Sequence, residues 1–269
     1  MHLAKQKIQR LRRLLADEGP GAVVSACGVA AAKWWRQGEP WELRKSRHVR
    51  LDGCRIGLEN SYSSDIRNLL LTGVFEKPER AAIRRFLDGS LPVVELGACI
   101  GVVACITNRR LDHRERHVVV EANPGMIPFL TANRNRNRSG FFVLNRAVGY
   151  GTDFVEMHLN DANPLGSSAY SGSSRITRVP SITLQGIQRE FQFERFTLIC
   201  DIEGSEFEMA QHEAEVLSTC VPLMIMEIHE RLRGEAATAA LLARFEEAGF
   251  ETIDREWETY VMRNRHFNA

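Results

Sequence analysis

Apolar and polar positions follow two different periods along this chain, and the changes of period mark its predicted elements. From Leu91 onward, short apolar runs alternate with longer amphipathic stretches, which is the pattern of strands alternating with helices. The predicted strands are Val93–Leu96, His117–Glu121, Phe141–Ala147, Phe196–Asp201, Pro222–Ile228, Phe250–Asp254 and Tyr260–Arg263. The predicted helices are Gly101–Arg110, Pro124–Asn133, Gly204–Ala214 and Glu235–Ala248. This order predicts an α/β fold in which helices cover both faces of a parallel sheet.

The two ends of this pattern depart from simple alternation. The last two strands are joined by a short connection, so they predict an antiparallel hairpin at the edge of a mostly parallel, seven-stranded sheet. Upstream, residues 48–58 alternate around Asp52-Gly53, which is a strong hairpin signal, and residues 64–88 look helical. We therefore predict an N-terminal helical appendage over residues 1–47, a hairpin-and-helix segment over 48–90 and a three-layer α/β sandwich over 91–269.

Two polar stretches interrupt the predicted core. The first is a Gly/Ser-rich insertion loop over residues 150–180, which is typical of a lid or of a disordered insertion, and the sequence favours neither. The second is the alternating Asn/Arg run of residues 133–138, at the end of a predicted helix. We interpret this run as a solvated helix end whose cations lie near the negative pole of the helix dipole, rather than as a nucleic-acid patch.

Composition narrows the class of protein. The chain has 269 residues, 44% of them hydrophobic, and a formal net charge of +1, so no general attraction to nucleic acid or to an anionic membrane is expected. Its six cysteines form no C-x-x-C pair, which excludes a zinc ribbon and favours a reduced, cytoplasmic setting. No apolar run approaches the roughly 20 residues of a membrane helix. The basic N-terminal stretch has one apolar face (Ile8, Leu11, Leu14, Leu15). This face favours docking on the same domain or on a second subunit, as in a homo-oligomer, over a membrane surface.

A glycine loop follows the first core strand. Its sequence, Glu95-Leu96-Gly97-Ala98-Cys99-Ile100-Gly101, reads E-x-G-x-x-x-G and not the G-x-G-x-x-G of nicotinamide and flavin sites. Gly97 supplies backbone angles that other residues avoid, and Gly101 allows a helix or a ligand to approach closely. The loop predicts a nucleotide-like ligand that has no pyrophosphate to place on the helix N-terminus.

Ligands of such sheets lie beyond the carboxyl ends of the strands. At the end of the second core strand, Glu121 could accept hydrogen bonds from both hydroxyls of a ribose, although it could also cap the helix that begins near Pro124. Its position some twenty residues after the glycine loop favours the ribose. At the end of the third strand, Asn145 and Ala147 flank a segment that could lie beside an adenine edge or form a simple turn.

The fourth and fifth core strands end in ionisable residues. Asp201 and Glu203 alternate with apolar residues, as do Glu227 and His229, so each pair points to one side of its strand. Carboxylates at the ends of buried strands are costly unless they are paired or used. This cluster could bind a divalent metal or act as a general base. The plain alternative for Glu203 and Glu206 is helix capping.

Together these segments resemble the FkbM family of S-adenosylmethionine-dependent methyltransferases. The resemblance rests on residues 94–101, 121–124, 201–206, 181–184, 226–229 and 73–76, in that family's order, and spans about residues 48–262. It implies a Rossmann-like class I methyltransferase fold, with S-adenosylmethionine as cofactor. The residues that it implies for the cofactor are Glu76, Glu95, Gly97, Ala98, Cys99, Gly101, Glu121, Ala122, Asn123, Asn145, Ala147 and Asp201.

The same resemblance implies transfer of a methyl group to a hydroxyl, on a sugar, a glycan or a natural-product scaffold. Asp201, Glu203, Glu227 and His229 are then the candidate catalytic residues, and Asp201, Glu203 and Glu227 a candidate site for a divalent metal such as Mg²⁺. Ile199, Gln185 and Cys99 replace the Lys, Asp and Asn that the family usually carries, which leaves the acceptor and the base open.

Two other functions compete with this one. A catalytically silent methyltransferase-like module would hold cofactor or a partner through its N-terminal helices. A nucleic-acid methyltransferase is disfavoured, because the chain has no basic domain and no N/D-P-P-Y/F motif at the fourth strand.

Overall fold

The structure is a computed structural model that describes residues 47–62, 64–159 and 175–267. The predicted N-terminal helices and the Gly/Ser motifs of residues 163–168 and 171–174 lie outside these residues. Within the described ranges, no helix is long and apolar enough to cross a membrane.

The centre of the fold is a seven-stranded sheet. Its strands are β3 (Val93–Leu96), β4 (His117–Val120), β5 (Phe142–Leu144), β9 (Thr197–Cys200), β10 (Leu223–Glu227), β11 (Phe250–Glu256) and β12 (Thr259–Asn264). Their order across the sheet is β5-β4-β3-β9-β10-β12-β11. The five strands from β5 to β10 pair in parallel, whereas β12 is antiparallel to both of its neighbours, β10 and β11. The predicted α/β class, the mostly parallel seven-stranded sheet and the edge hairpin are therefore confirmed, with β12 inserted between β10 and the edge strand.

Among the described residues, the first face of the sheet carries the hairpin and four helices. The hairpin consists of β1 (His48–Leu51) and β2 (Cys54–Gly57), and the helices are α1 (Ser64–Thr72), α2 (Lys77–Phe86), α3 (Val102–Arg110) and α4 (Ile127–Arg136). Asp52 and Gly53, the predicted turn, have φ angles of 46° and 84°, as a two-residue hairpin turn requires. Buried side chains of this layer, such as Ile56, Ile83 and Ile106, join Val93 and Val119 in one apolar core.

The second face carries the helices of the C-terminal half. They are α5 (Leu184–Glu190), α6 (Glu206–His212), α7 (Ala214–Cys220), the short α8 (Glu230–Arg233) and α9 (Glu235–Glu247). Their apolar residues, among them Leu184, Met209, Leu217 and Phe245, pack against alternate residues of the strands in a second core. Successive side chains of a strand point to opposite faces of the sheet, and here both faces are covered by an apolar layer. These strands therefore appear in the sequence as continuous apolar runs.

A separate three-stranded sheet corrects two predictions. The predicted strand Phe141–Ala147 breaks after Leu144, and the chain re-enters sheet structure as β6 (Ala147–Val148). β6 pairs with β8 (Arg175–Ile182), which pairs with β7 (Phe154–Leu159), in the order β6-β8-β7. The predicted insertion loop of residues 150–180 therefore begins and ends in an antiparallel ribbon. Its strand signal was masked by the Gly/Ser composition of the residues between.

The Asn/Arg run at the end of α4 is also different from its prediction. Asn133 is 1% exposed, its Oδ1 accepts a hydrogen bond from the Gly57 backbone (2.9 Å), and its amide donates to the Ile100 carbonyl (2.8 Å). Asn137 binds both the N–H (2.8 Å) and the carbonyl (2.9 Å) of Arg55. The run is an anchor for the hairpin and not merely a solvated helix end, because asparagine amides can satisfy the polar backbone of the adjoining strand.

Candidate functional site

A cleft opens at the carboxyl edge of the sheet, where β3, β4 and β9 end. Its lining comes from the glycine loop, the β4 end, the small sheet and the β9 end: Gly97, Cys99, Val120, Glu121, Ala122, Asn123, Met126, Arg146, Ala147, Val148, Val155, Met157, Asp201, Ile202, Glu203 and Ser205. This set contains seven of the twelve residues predicted to bind the cofactor.

The two glycines of the loop allow two different close contacts. Gly97 has φ 84°, and a Cβ built there would lie 1.6 Å from the backbone oxygen of Asp201. Gly101 has φ 80°, and its Cβ would lie 2.4 Å from Leu130 Cδ1 of α4. Gly97 thus lets the loop pass directly over the end of β9, beside the cleft, whereas Gly101 lets α3 and α4 approach one another.

Glu121 ties the end of β4 to the glycine loop. It is 7% exposed and accepts hydrogen bonds from the backbone N–H groups of Cys99 (2.6 Å) and Asn123 (2.6 Å). Burial raises the pKa of Glu121 to about 7, although these backbone donors act in the opposite direction. These two backbone N–H groups fix the orientation of the Glu121 carboxylate at the cleft. Its remaining lone pairs can accept hydrogen bonds from hydroxyl groups.

The other five predicted cofactor residues do not line the cleft. Ala98 and Gly101 lie inside the loop, and Asn145 donates to the carbonyls of Glu121 (2.8 Å) and Ala122 (3.1 Å), so its amide braces the β4 end. Glu95 is 1% exposed, with Oε2 3.4 Å from Nε2 of the buried His117 of β4. Burial raises the pKa of the Glu95 carboxyl, and the neighbouring His117 opposes that rise.

Glu76 stands apart from these because of its backbone. It is the residue before α2, with φ 48°, a left-handed conformation that is strained for a non-glycine residue. Its Oε2 is buried without a hydrogen-bond partner among the described residues. Burial raises the pKa of Glu76 well above its usual value, and the carboxyls of Glu79 and Glu95 add to the rise. A strained backbone that holds a buried carboxylate oxygen without a partner indicates a functional position more than a structural one.

Next to the cleft, carboxylates surround one imidazole. His229, 2% exposed, has its Nε2 3.5 Å from Asp201 Oδ1, 3.5 Å from Glu203 Oε2 and 3.8 Å from Glu227 Oε1. On the other side of the ring, Nδ1 lies 3.0 Å from Oε1 of the fully buried Glu206. The structure thus brings together all four predicted catalytic residues, because β9 and β10 are neighbours and end at the same edge.

The charged groups of this acidic cluster shift one another's pKa values. Burial raises the pKa of Asp201 well above its usual value, and the carboxylates of Glu203 and Glu79 raise it further. The pKa of Glu227 is also raised, by burial and then by the carboxylates of Asp201 and Glu79. Burial alone would lower the pKa of His229, but Glu206 and then Glu203 and Glu227 raise it to about 9. The protonated imidazole is therefore the countercharge of the cluster.

Sequence reasoning missed two members of the cluster as functional candidates. Glu206, read as a helix cap, does accept from the Ile202 N–H (3.2 Å), but its main contact is with His229. Glu79 of α2 is 6% exposed and accepts a short hydrogen bond from the Thr259 hydroxyl of β12. The spacing of Glu76 and Glu79 on one face of a helix start is the signal that could have found it.

Comparison with known proteins shows the family. A search of curated proteins gives no significant match. Among solved structures, similarity is found to a Streptococcus agalactiae protein of the NADB-Rossmann superfamily (9% identity over 69% of this chain, TM-score 0.41). Trm5b from Pyrococcus abyssi is also similar (12% identity over 80% of this chain, TM-score 0.41). The O-methyltransferase from Bacillus cereus, solved with SAH, is also similar (12% identity over 68% of this chain and 76% of its own length, TM-score 0.39).

The aligned part of this chain spans 65% of the length of the Streptococcus protein and 53% of that of Trm5b. These identities are too low to transfer any function. The family is shown instead by the sequence itself, because the model of the methyltransferase FkbM domain matches residues 95–252, from the glycine loop to β11 and through every catalytic candidate. The match covers more than half of the chain, and the protein therefore belongs to the FkbM methyltransferase family.

Proposed function

We propose that this protein transfers a methyl group from S-adenosylmethionine to a hydroxyl of a sugar, a glycan or a natural-product scaffold. One observation carries the proposal. Asp201 lines the cleft beside Gly97 and is also part of the acidic cluster around His229. A donor held in the cleft and an acceptor held over the cluster would therefore meet at this one carboxylate.

The residues of the cleft and Asp201 have different roles in the proposed reaction. Gly97, Cys99 and Asn123 line the cleft in which the cofactor would bind, and the Glu121 carboxylate would accept hydrogen bonds from the ribose hydroxyls. The cofactor supplies an electrophilic methyl group on a sulfonium when it is bound. An alcohol is a weak nucleophile, so a base must take its proton as the new bond forms. We assign that proton to Asp201, whose raised pKa makes it a stronger base than an ordinary carboxylate.

His229 and Glu206 support Asp201 from behind. The Glu206 carboxylate binds the Nδ1 side of His229 and so turns Nε2 toward Asp201 and Glu203. This arrangement fixes the ring and holds a positive charge beside Asp201.

The cluster also fits a divalent metal in place of the proton on His229, because a histidine ligand must be a neutral imidazole. Ligand atoms of Asp201, Glu227 and His229 lie within 4.8 Å of one another, so His229 takes the place that was predicted for Glu203. The fully buried Glu206 lies at Nδ1 of the ring, where a carboxylate commonly orients a metal-bound histidine. A bound Mg²⁺ would lower the pKa of an acceptor hydroxyl. Calorimetric titration with Mg²⁺ of the wild type and of His229→Ala tests this site apart from turnover.

The proposed reaction is tested with purified protein and S-adenosylmethionine labelled in the methyl group. Free hexoses, nucleotide sugars, oligosaccharides and hydroxylated polyketides serve as acceptors, and released S-adenosylhomocysteine is measured. We expect release that depends on one class of hydroxyl compound. Tight cofactor binding by calorimetry with no release on any acceptor would instead support the silent binding module.

The role of Asp201 is tested by Asp201→Asn, which keeps size and removes the base. We expect turnover to fall by about 10²–10⁴-fold, the usual contribution of a general base, while the affinity for S-adenosylmethionine changes little. Asp112→Asn is the matched control, since Asp112 is exposed between α3 and β4, at the opposite edge of the sheet. Turnover by Asp201→Asn equal to that of the control would remove Asp201 from the mechanism.

A further inference from the structure

Charge is unevenly distributed in this chain despite its net charge of +1. Residues 47–146 contain 16 Lys/Arg and 10 Asp/Glu, whereas residues 147–267 contain 10 and 20. The acidic residues of the second part include the cluster at the carboxyl edge of the sheet. Many basic residues of the first part lie at the opposite, amino edge, where the hairpin and the C-terminal end of α3 meet.

Five exposed arginines define this basic edge: Arg50, Arg55, Arg109, Arg110 and Arg114. Arg109 packs against the hairpin turn, because a Cβ on Gly53 would lie 3.1 Å from its Nε. Arg109 and Arg110 also line a depression together with Arg84 and Asp52. Asp52 is already bound to Arg80 (2.7 Å) and Arg84 (2.6 Å), so it does not neutralise the two arginines of α3.

None of the five arginines has a carboxylate within 4 Å among the residues that the structure describes. Asp112 and Glu115 lie on the same loop as Arg114, and the ion-pair partner of Glu115 is His113 (3.6 Å). Arg109 and Arg110 end a helix, where cations complement the dipole. That explanation does not extend to Arg50 and Arg55, which are on strands.

Arg50 and Arg55 are direct cross-strand partners in the hairpin. Like charges in this position repel each other and destabilise a hairpin. The pKa of the neighbouring His48 is lowered by desolvation and then by Arg55, Arg136 and Arg50, so the positive potential extends along β1. The fold maintains this repulsion at its surface, which is expected where an anionic partner relieves it.

We propose that the basic edge docks this protein on an anionic lipid bilayer. The sequence of residues 1–46, which leads directly into β1, has nine Lys/Arg against four Asp/Glu and three of the four tryptophans (Trp34, Trp35, Trp41), a side chain enriched at membrane interfaces. Together with the basic edge, this composition favours a membrane surface over the docking on protein that the apolar face of the N-terminal stretch alone predicted. The acidic cluster at the far edge is repelled by the same lipids, which orients the molecule with its cleft away from the bilayer. Docking on the basic edge thus leaves the cleft open, and the proposal does not depend on the reaction that the cleft catalyses.

Vesicle co-sedimentation of the full chain tests this docking. Vesicles of phosphatidylcholine with 30% phosphatidylglycerol should bind the wild type, and pure phosphatidylcholine vesicles should not. Arg50→Gln with Arg55→Gln should lower the partition coefficient by roughly 30-fold, since each basic residue near an anionic surface contributes about fivefold. The same variant should be at least as stable as the wild type in urea, because the cross-strand repulsion is gone.

Arg189→Gln with Arg244→Gln is the matched control. These exposed arginines lie on α5 and α9, on the other face of the sheet, and their loss changes the net charge equally. The control should bind like the wild type. Equal loss of binding in both variants would overturn the proposal, since net charge and not the basic edge would then decide. Absence of vesicle binding together with salt-sensitive binding to single-stranded RNA would also overturn it, and would assign the edge to nucleic acid.

Discussion

Replacing Gly97 by alanine tests whether the glycine loop and the end of β9 form one structural unit. The new Cβ would stand 1.6 Å from the Asp201 oxygen, and that oxygen belongs to backbone that cannot rotate away. The left-handed φ of 84° adds a conformational penalty of roughly 1–2 kcal/mol. Separating the two segments adds about 1–3 kcal/mol, as for other overpacked sites. We therefore expect Gly97→Ala to lower the free energy of unfolding by about 2–5 kcal/mol.

Gly151→Ala separates the two contributions. Gly151 has a φ of 74° but nothing within 4 Å of its built Cβ, so it should show only the conformational penalty, about 1–2 kcal/mol. Urea denaturation gives both free energies, and calorimetry with S-adenosylhomocysteine reports the cleft. Gly97→Ala should also abolish binding in protein that is still folded, whereas Gly151→Ala should bind normally. Equal stabilities and affinities for the two variants would refute the close contact between Gly97 and Asp201.

Three more predictions follow from single contacts. With a Glu121 pKa of about 7, the affinity for S-adenosylmethionine should rise up to about tenfold from pH 6 to pH 8, as the carboxylate ionises; calorimetry on Glu121→Gln should show no such rise. Asn133→Ala leaves two buried backbone groups unpaired, so urea unfolding should show a loss of about 2–4 kcal/mol, against less than about 1 kcal/mol for the more exposed Asn137→Ala. Glu206→Gln should reduce S-adenosylhomocysteine release at least about tenfold with unchanged cofactor affinity; an unchanged rate would limit Glu206 to a structural role.

The sequence predicted what depends on local periodicity. The apolar runs located every strand of the main sheet, and the position of the acids after these runs located the acidic cluster, because adjacent parallel strands must end at one edge. Asp201, Glu203, Glu227 and His229 were found in this way, and the structure brings them together.

What the sequence could not predict depends on contacts between distant segments. Glu95 belongs to the glycine motif, yet its neighbour is His117 of the next strand, β4, beyond a whole helix, and no spacing in the sequence indicates that pair. Asn133 looks like part of a solvated repeat because its partners, Gly57 and Ile100, come from another layer. The ribbon of β7 and β8 was hidden for the same reason, since its pairing spans a polar stretch with no period of its own.

That ribbon has a consequence for how the family could change its substrates. β7 places Val155 and Met157 in the wall of the cleft, while β6, the strand that joins the small sheet to the rest of the chain, has only two residues. One compact module therefore borders the cleft and also carries the stretch between Leu159 and Arg175. Exchange of residues 150–182 between homologues would graft that module without altering the main sheet. Such chimeras would show directly whether this module determines the acceptor.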